Sequence, residues 1–254
     1  MPDHYADMGI RIEGQEEMER FVFDLARESR IHKINSGILG VANIDDRVEF
    51  WIAGNEEGQI EAVSFNAVSS NRNLLKIDRI VDEDDSPIPT ICAWYSSEVA
   101  HRTQDDYGIE YPIVFEAVNY GLRKQTEAEE IIQVQLTAFA NNMSIYEDDK
   151  AYYKLSNSPM APESFIPSGT FTPDGNETDP PTADAIFCGH ILYAERLFNS
   201  KGGLWYWHIA ATCQGCVFDI LASDELAAEA PKAGGVVSGS FWLSGKIFAG
   251  TDAE

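Results

Sequence analysis

Between residues 156 and 181 the chain carries six prolines (159, 162, 167, 173, 180 and 181), two glycines and few apolar residues. A proline has no backbone N–H and a fixed φ, so prolines at this density stop a helix and interrupt sheet hydrogen bonding. This stretch limits the possible folds more than any other feature. It predicts a connector over 156–182 between an α+β domain, 1–155, and a β-rich module, 183–254, with Phe165, Ile166 and Phe171 pinning the connector to the body.

Periodicity supplies the elements on either side. Residues 8–12 alternate apolar and polar and read as a strand. At 16–29, Met18, Phe21, Val22 and Leu25 form one helical stripe, with Glu16 and Glu17 at the positive end of the helix dipole. Strand patterns follow at 37–43, 47–53 and 59–65, giving a β-α-β-β-β start, then at 73–81, 91–95 and 111–117. Ile131, Ile132, Gln135, Leu136, Phe139 and Met143 lie on one face of a helix expected over 127–143. Thr126 and Glu129 have capping-box spacing, and a shorter helix is expected at 147–155.

After the connector, 186–198 and 204–212 read as a hairpin, 217–221 continues the sheet, 224–229 forms a helical turn with Ser223 as N-cap, and 235–243 with 246–248 close it. A few short strands with one small helix resemble an OB-type barrel. The fold class is therefore α+β: a strand-rich N-terminal domain and a small OB-like module. No internal repeat shows at the usual periods.

Charge narrows the partners. Eighteen Lys and Arg stand against 42 Asp and Glu, a net −24, of which −20 lies before residue 184. A field of that sign repels phosphate backbones, which disfavours nucleic acid and suits a basic protein. The four cysteines are too few for a disulfide scaffold, and no apolar run reaches membrane-spanning length. The N-terminus lacks the basic and apolar regions of a secretory signal, so the expected location is cytoplasmic.

The candidate chemistry lies in the C-terminal strands. Cys188 and His190, two apart on a strand, share a face. Pairing Phe198 with Gly203 sets Cys188 opposite Cys213, with Cys216 three residues further on. The four would form a Cys₃His zinc site. Cys213 and Cys216 also form a Cys-x-x-Cys pair, but no helix follows to lower a thiol pKa. In 204–208, Trp205 and Trp207 share one face, and Tyr206 and His208 the other. Exposed rings on an OB-type barrel can stack bases, yet no basic groove accompanies these.

The β-α-β-β-β start resembles the repeating unit of glyoxalase-like (vicinal oxygen chelate) domains. That resemblance implies metal ligands on strands, with His4 and Glu49 in loosely compatible places and no second copy of the unit. The acidic runs 82–85 and 147–149 lack the alternating ligands and central glycine of a calcium loop. No nucleophile elbow, phosphate loop, dinucleotide fingerprint or His-Glu-x-x-His is present. These features fit a non-enzymatic acidic binding protein, of inhibitor or immunity type, without a cofactor. The alternative is a metal-dependent enzyme with its site in the N-terminal domain or at the domain interface.

Overall fold

The computed structural model describes residues 4–35, 37–81, 86–100, 108–123, 128–156, 158–170 and 180–248. The expectations placed on 82–85, Thr126 and Phe171 lie outside them.

Among the described residues, thirteen strands build two sheets. The first is an antiparallel meander that follows the helix α1 (Gln15–Glu28): β1 (Arg30–Ile34), β2 (Gly37–Asp45), β3 (Val48–Gly54) and β4 (Ile60–Ala67). The strand expected at 8–12 is instead a single turn of 3₁₀ helix and one bridge, Ile10 to Gly203. Met8 and Ile10 are buried, but the segment meets a hairpin turn, which offers one backbone partner where a strand edge would offer several. Asn199 Nδ2 donates to the Met8 carbonyl at 2.8 Å and fastens the segment there.

The second sheet holds β5 (Asn73–Val81), β6 (Thr90–Ser96), β7 (Glu110–Ala117), β8 (Ile131–Tyr146), β9 (Ser164–Ile166), β10 (Asp184–Phe198), β11 (Trp205–Cys213), β12 (Cys216–Ser223) and β13 (Val236–Phe248). A short helix, α2 (Asp149–Leu155), follows β8, and the Asp148 side chain caps it by accepting from the Ala151 N–H. Its shape follows from two long strands. β8 and β13 pair antiparallel along most of their length. The start of β8 pairs with β5 and its middle with β12, while β13 pairs first with β10 and then with β7.

The sheet therefore closes twice around one shared pair. One ring runs β8-β5-β6-β7-β13 and the other β13-β10-β11-β12-β8. Each ring has a single parallel contact, β7 with β13 and β12 with β8. The chain is thus two copies of one pattern, a three-stranded meander followed by a long strand. Each long strand pairs with its own first strand and with the last meander strand of the other copy. Sequence periodicity gives no sign of this duplication.

This topology corrects the two-domain division. The proline-dense stretch falls between the two copies, but strands of both share one sheet and one apolar interior. Ile77, Ile113 and Phe115 from the first copy sit in the same buried cluster as Phe187, Phe218 and Phe241 from the second. The connector supplies the edge strand β9, in which Phe165 stacks on Phe187 and Phe218. Residues 183–248 close a ring only with β8, which comes from before the prolines.

The helix expected at 127–143 is also corrected, because it is the longest strand. Leu136 and Ala138 of β8 face the barrel interior, while Gln135, Thr137 and Phe139 face the meander side. Both faces are covered, so no alternation survives for the sequence to display. The helical turn expected at 224–229 is a set of turns, in which the Ser223 carbonyl accepts from the Leu226 N–H. The chain is strand-rich α+β, and among the described residues no helix is long and apolar enough to cross a membrane.

Candidate functional site

The meander docks on the barrel wall through β4. Phe65 packs edge-on against Phe50, Phe139 and Trp242, which fixes the first sheet to β8 and β13. One of its faces carries α1, and the other packs through Leu39, Trp51 and Ala53 on Ile88 and Val118. Val22 and Leu25 of the predicted stripe are buried on the first face, with Met18, Phe21 and Ala26 packed beside them. The helix packs on β2, and Phe21 with Tyr5 covers Phe50 and Phe65, so β3 is buried and the open apolar surface is confined to 60–63 of β4 and the flanks of Phe23 and Ile31.

The result is a groove of about 790 Å³ between α1 and the sheet. Ile38, Ile52 and Val63 line it from the strands, and Phe23 and Ala26 from the helix. The floor is kept low by Gly40, where an added Cβ would lie 2.5 Å from Ser29 Oγ. Phe23, Ile31 and Ile60 are 56%, 50% and 40% exposed, so the apolar surface opens to solvent. Its ionisable lining consists of Tyr5, Glu19, Arg27 and Glu61, and the Arg27 guanidinium lies 5.2 Å above the Phe23 ring. Among the described residues no histidine, cysteine or lysine lines it, and the Ser29 hydroxyl donates to the Ala26 carbonyl. A groove lined this way can bind an apolar group.

The four residues of the expected zinc site do not converge. Cys213 and Cys216 face each other across a two-residue turn, Gln214-Gly215, and both point into the barrel core. Cys188 points to the other side of the sheet and packs with Tyr152 and Val236, its sulfur 3.2 Å from Tyr152 Oη and 3.0 Å from Ser238 Oγ. His190 is half-buried, with Nε2 2.9 Å from Asp149 Oδ1. The cause is register. Phe198 pairs with Trp205 rather than Gly203, a bulge between Ile191 and Tyr193 shifts the ladder again, and the β10–β11 ladder ends at His190–Thr212, so the cross-strand partners of Cys188 are Ser164 on β9 and Ser238 on β13 and none is on β11. Burial pushes the Cys213 thiol well above its ordinary range, which disfavours the thiolate a metal needs. Among the described residues no group of three or more His, Cys, Asp or Glu side chains is placed to hold a metal ion.

His4 and Glu49 have separate partners. His4 Nδ1 is 2.8 Å from Asp7 Oδ2 and its ring stacks on Trp242, whereas Glu49 receives Lys246 Nζ at 2.7 and 2.9 Å. The observed order α-β-β-β-β also departs from the glyoxalase-like unit. In the aromatic run Tyr206 and His208 are buried, and Trp205 is exposed with Arg196 stacked over it at 4.7 Å.

Sequence reasoning missed one polar cluster. Asp219, fully buried on β12, accepts from Ser69 Oγ (2.5 Å), Asn71 Nδ2 (2.8 Å) and Gln135 Nε2 (3.0 Å), and lies 3.0 Å from His208 Nε2. Ser69 and Asn71 belong to the β4–β5 crossover, so this carboxylate clamps the link between the sheets to the barrel wall. Its closed surroundings give it a structural role. Comparison with protein-family models, curated proteins and solved structures gives no match.

Proposed function

We propose that the chain is a non-enzymatic acidic binding protein that engages a basic partner through the groove beside α1. One observation carries the reading: an apolar recess of about 790 Å³ lies in a strongly acidic part of the chain, and among the described residues no histidine, cysteine or lysine lines it. Residues 1–66 hold fourteen acids against six bases, and Glu19 and Glu61 stand on opposite walls of the groove. Apolar area supplies affinity at such a surface, and the surrounding charge supplies steering and selection of partner sign. An inhibitor or immunity-type role against a cationic protein belongs to this reading, as does residence in the cytoplasm.

The double ring bears on the same point. Five strands with one parallel contact support an OB-type reading of the second ring, with β8 supplying the strand that the C-terminal segment lacks. Such barrels present ligand surfaces on their walls. Here the meander covers the wall at β8 and β12, so in this reading a partner meets the groove beside α1 rather than that wall.

The test is photo-crosslinking with a benzoyl-phenylalanine in place of Phe23, and with a control at the exposed Tyr153 on α2. A basic protein captured at position 23, absent at position 153 and lost in high salt, supports the reading. Equal capture at both positions, or capture only of acidic or neutral proteins, overturns it.

A further inference from the structure

We infer that the outer edge of β1 takes an extended, carboxylate-bearing segment of a partner as a fifth strand of the smaller sheet. This border of the sheet is separate from the groove beside α1, and of the β1 residues only Ile31 lines that groove.

β1 stands at one end of the order β1-β2-β3-β4, and among the described residues its outer side makes no backbone hydrogen bond. An edge of this kind is a template for another strand, and proteins usually blunt it. β9, at an edge of the larger sheet, is three residues long and lies between Pro162 and Pro167. β1 has five residues and no proline, but three of the five are Arg30, His32 and Lys33. Lysine on an edge is a common protective device. Protection acts against further copies of the chain, however, and here a net −24 already keeps copies apart. Where acids outnumber bases 42 to 18, this edge carries bases and no acid.

Those bases are available. Among the described residues neither Arg30 nor Lys33 has a carboxylate partner. Arg30 Nε donates to His32 Nε2 at 3.2 Å, which steadies the guanidinium and leaves its Nη groups for another acceptor. The same sign continues past the end of the strand. A recess of about 500 Å³ there is lined by His32, Lys33, Asn35 and Arg123, with no Asp or Glu among its described lining residues. Arg123 is fixed at its wall by an ion pair with Glu130.

The antiparallel order of the sheet defines what the segment carries. A strand added in that sense passes Lys33 first and Arg30 last, and residues directly opposite each other share a face. A carboxylate opposite Lys33, an aliphatic side chain opposite the half-exposed Ile31 and a second carboxylate opposite Arg30 give each β1 side chain its complement. The segment reads acid-x-aliphatic-acid, and its first carboxylate lies beside the basic recess. Other occupants fit less well. A second copy of this chain would pair one basic strand with another and add its own −24. A nucleic acid would bring a run of phosphates into the field of the whole chain, whereas two carboxylates paired across strands stay within the screening length of about 8 Å of Arg30 and Lys33.

The experiment uses the full chain and acetylated, amidated peptides. The probe is Thr-Glu-Thr-Val-Glu-Thr, and the controls are its Lys-for-Glu counterpart and free glutamate. Amide chemical shifts locate binding, and their titration gives its strength. The acidic peptide should shift amides of β1 and β2, saturate, and bind more tightly than either control by roughly 10-fold or more. Arg30→Glu and Lys33→Glu together should weaken it by roughly 10-fold with the circular dichroism unchanged, since two attractive cross-strand pairs become repulsive. N-methylation of alternate peptide amides separates strand addition from contact by charge alone. Blocking the set that faces β1 should abolish binding, and blocking the other set should leave it. Equal binding of either control, an equal response to the two methylated sets, shifts centred on Phe23 and Ile60, or no saturable binding overturns the inference.

Discussion

Asp219→Ala is the sharpest test of how the two sheets are held together. The carboxylate is fully buried and serves Ser69, Asn71, Gln135 and His208, within 2.5–3.0 Å of each. Truncation leaves these polar groups without their acceptor. Three of them lie outside β12's own hairpin partner, on the crossover and on β8. A single unmet buried donor costs about 1–3 kcal/mol, and breaking a buried charged constellation by removing one member costs roughly 3–5 kcal/mol. Partial relaxation of the 69–71 segment toward water keeps the sum of single costs from being reached. We therefore expect a loss of about 3–5 kcal/mol, a large part of a typical total of roughly 5–15 kcal/mol. For a chain of this size that lowers Tm by roughly 6–20 °C. Urea denaturation followed by tryptophan fluorescence, with thermal melts by circular dichroism, reads both. Asp219→Asn keeps an acceptor oxygen and should cost less, about 1–3 kcal/mol. A loss below about 1 kcal/mol for Asp219→Ala would refute the clamp, because the crossover would then be held by its apolar contacts alone.

Three further outcomes follow from the same contacts. Burial raises the Glu116 carboxyl from 4.5 to about 7, although Ser64 Oγ donates to it at 3.1 Å. The folded state thus holds the proton more tightly than the unfolded chain, and this contribution is complete below about pH 4.5 and lost as pH rises through 7. At about 1.4 kcal/mol per pH unit the loss is on the order of 3 kcal/mol, and Glu116→Gln should flatten stability against pH over that window. All four cysteines are buried and free, so a thiol reagent should titrate none in the native protein and four after unfolding; prompt native reaction at Cys213 would contradict its place in the core. Gly245→Ala would put a Cβ 2.4 Å from Phe115 Cδ2, where β13 passes from β10 to β7, and should cost about 1–3 kcal/mol in urea denaturation.

Where one face of an element is wet, the sequence and the structure agree. The α1 stripe and strands β2 to β7 fall within a few residues of the expected ranges; most keep a partly exposed side, and β3, buried on both, is marked by a short apolar run between turns. Legibility fails where both sides are covered or charge hides the pattern. β8 has the barrel core behind it and the meander in front, so Gln135 and Thr137 sit buried at positions a strand pattern would make polar and wet. β1 is Arg-Ile-His-Lys-Ile, an edge strand whose apolar residues are separated by charge. β9 fits between Pro162 and Pro167 only because an edge strand needs hydrogen bonds on one side. The cysteine cluster failed on register. A bulge adds a residue without marking the sequence, and one residue of slip exchanges the two faces of a strand.

The groove was hidden for a different reason. Its lining comes from α1, β1, β2, β3 and β4, and every aliphatic in it stands where an ordinary core residue would stand. What opens it is the end of β4: residues 60–63 stay partly exposed beside Phe23, while β3 is buried. A single trace of that opening is present in the chain. In α1, Phe23 lies off the stripe of Met18, Phe21, Val22 and Leu25, on a flank that a surface helix normally leaves polar. An aromatic there is costly to expose unless something packs on it, and within this chain Arg27 stacks over the ring and the open recess beside 60–63 of β4 is its neighbour. Moving α1 across to close that recess would break the contacts of Val22 and Leu25. The recess is thus kept by the same packing that stabilises the fold, and under the proposed binding role a partner covers it.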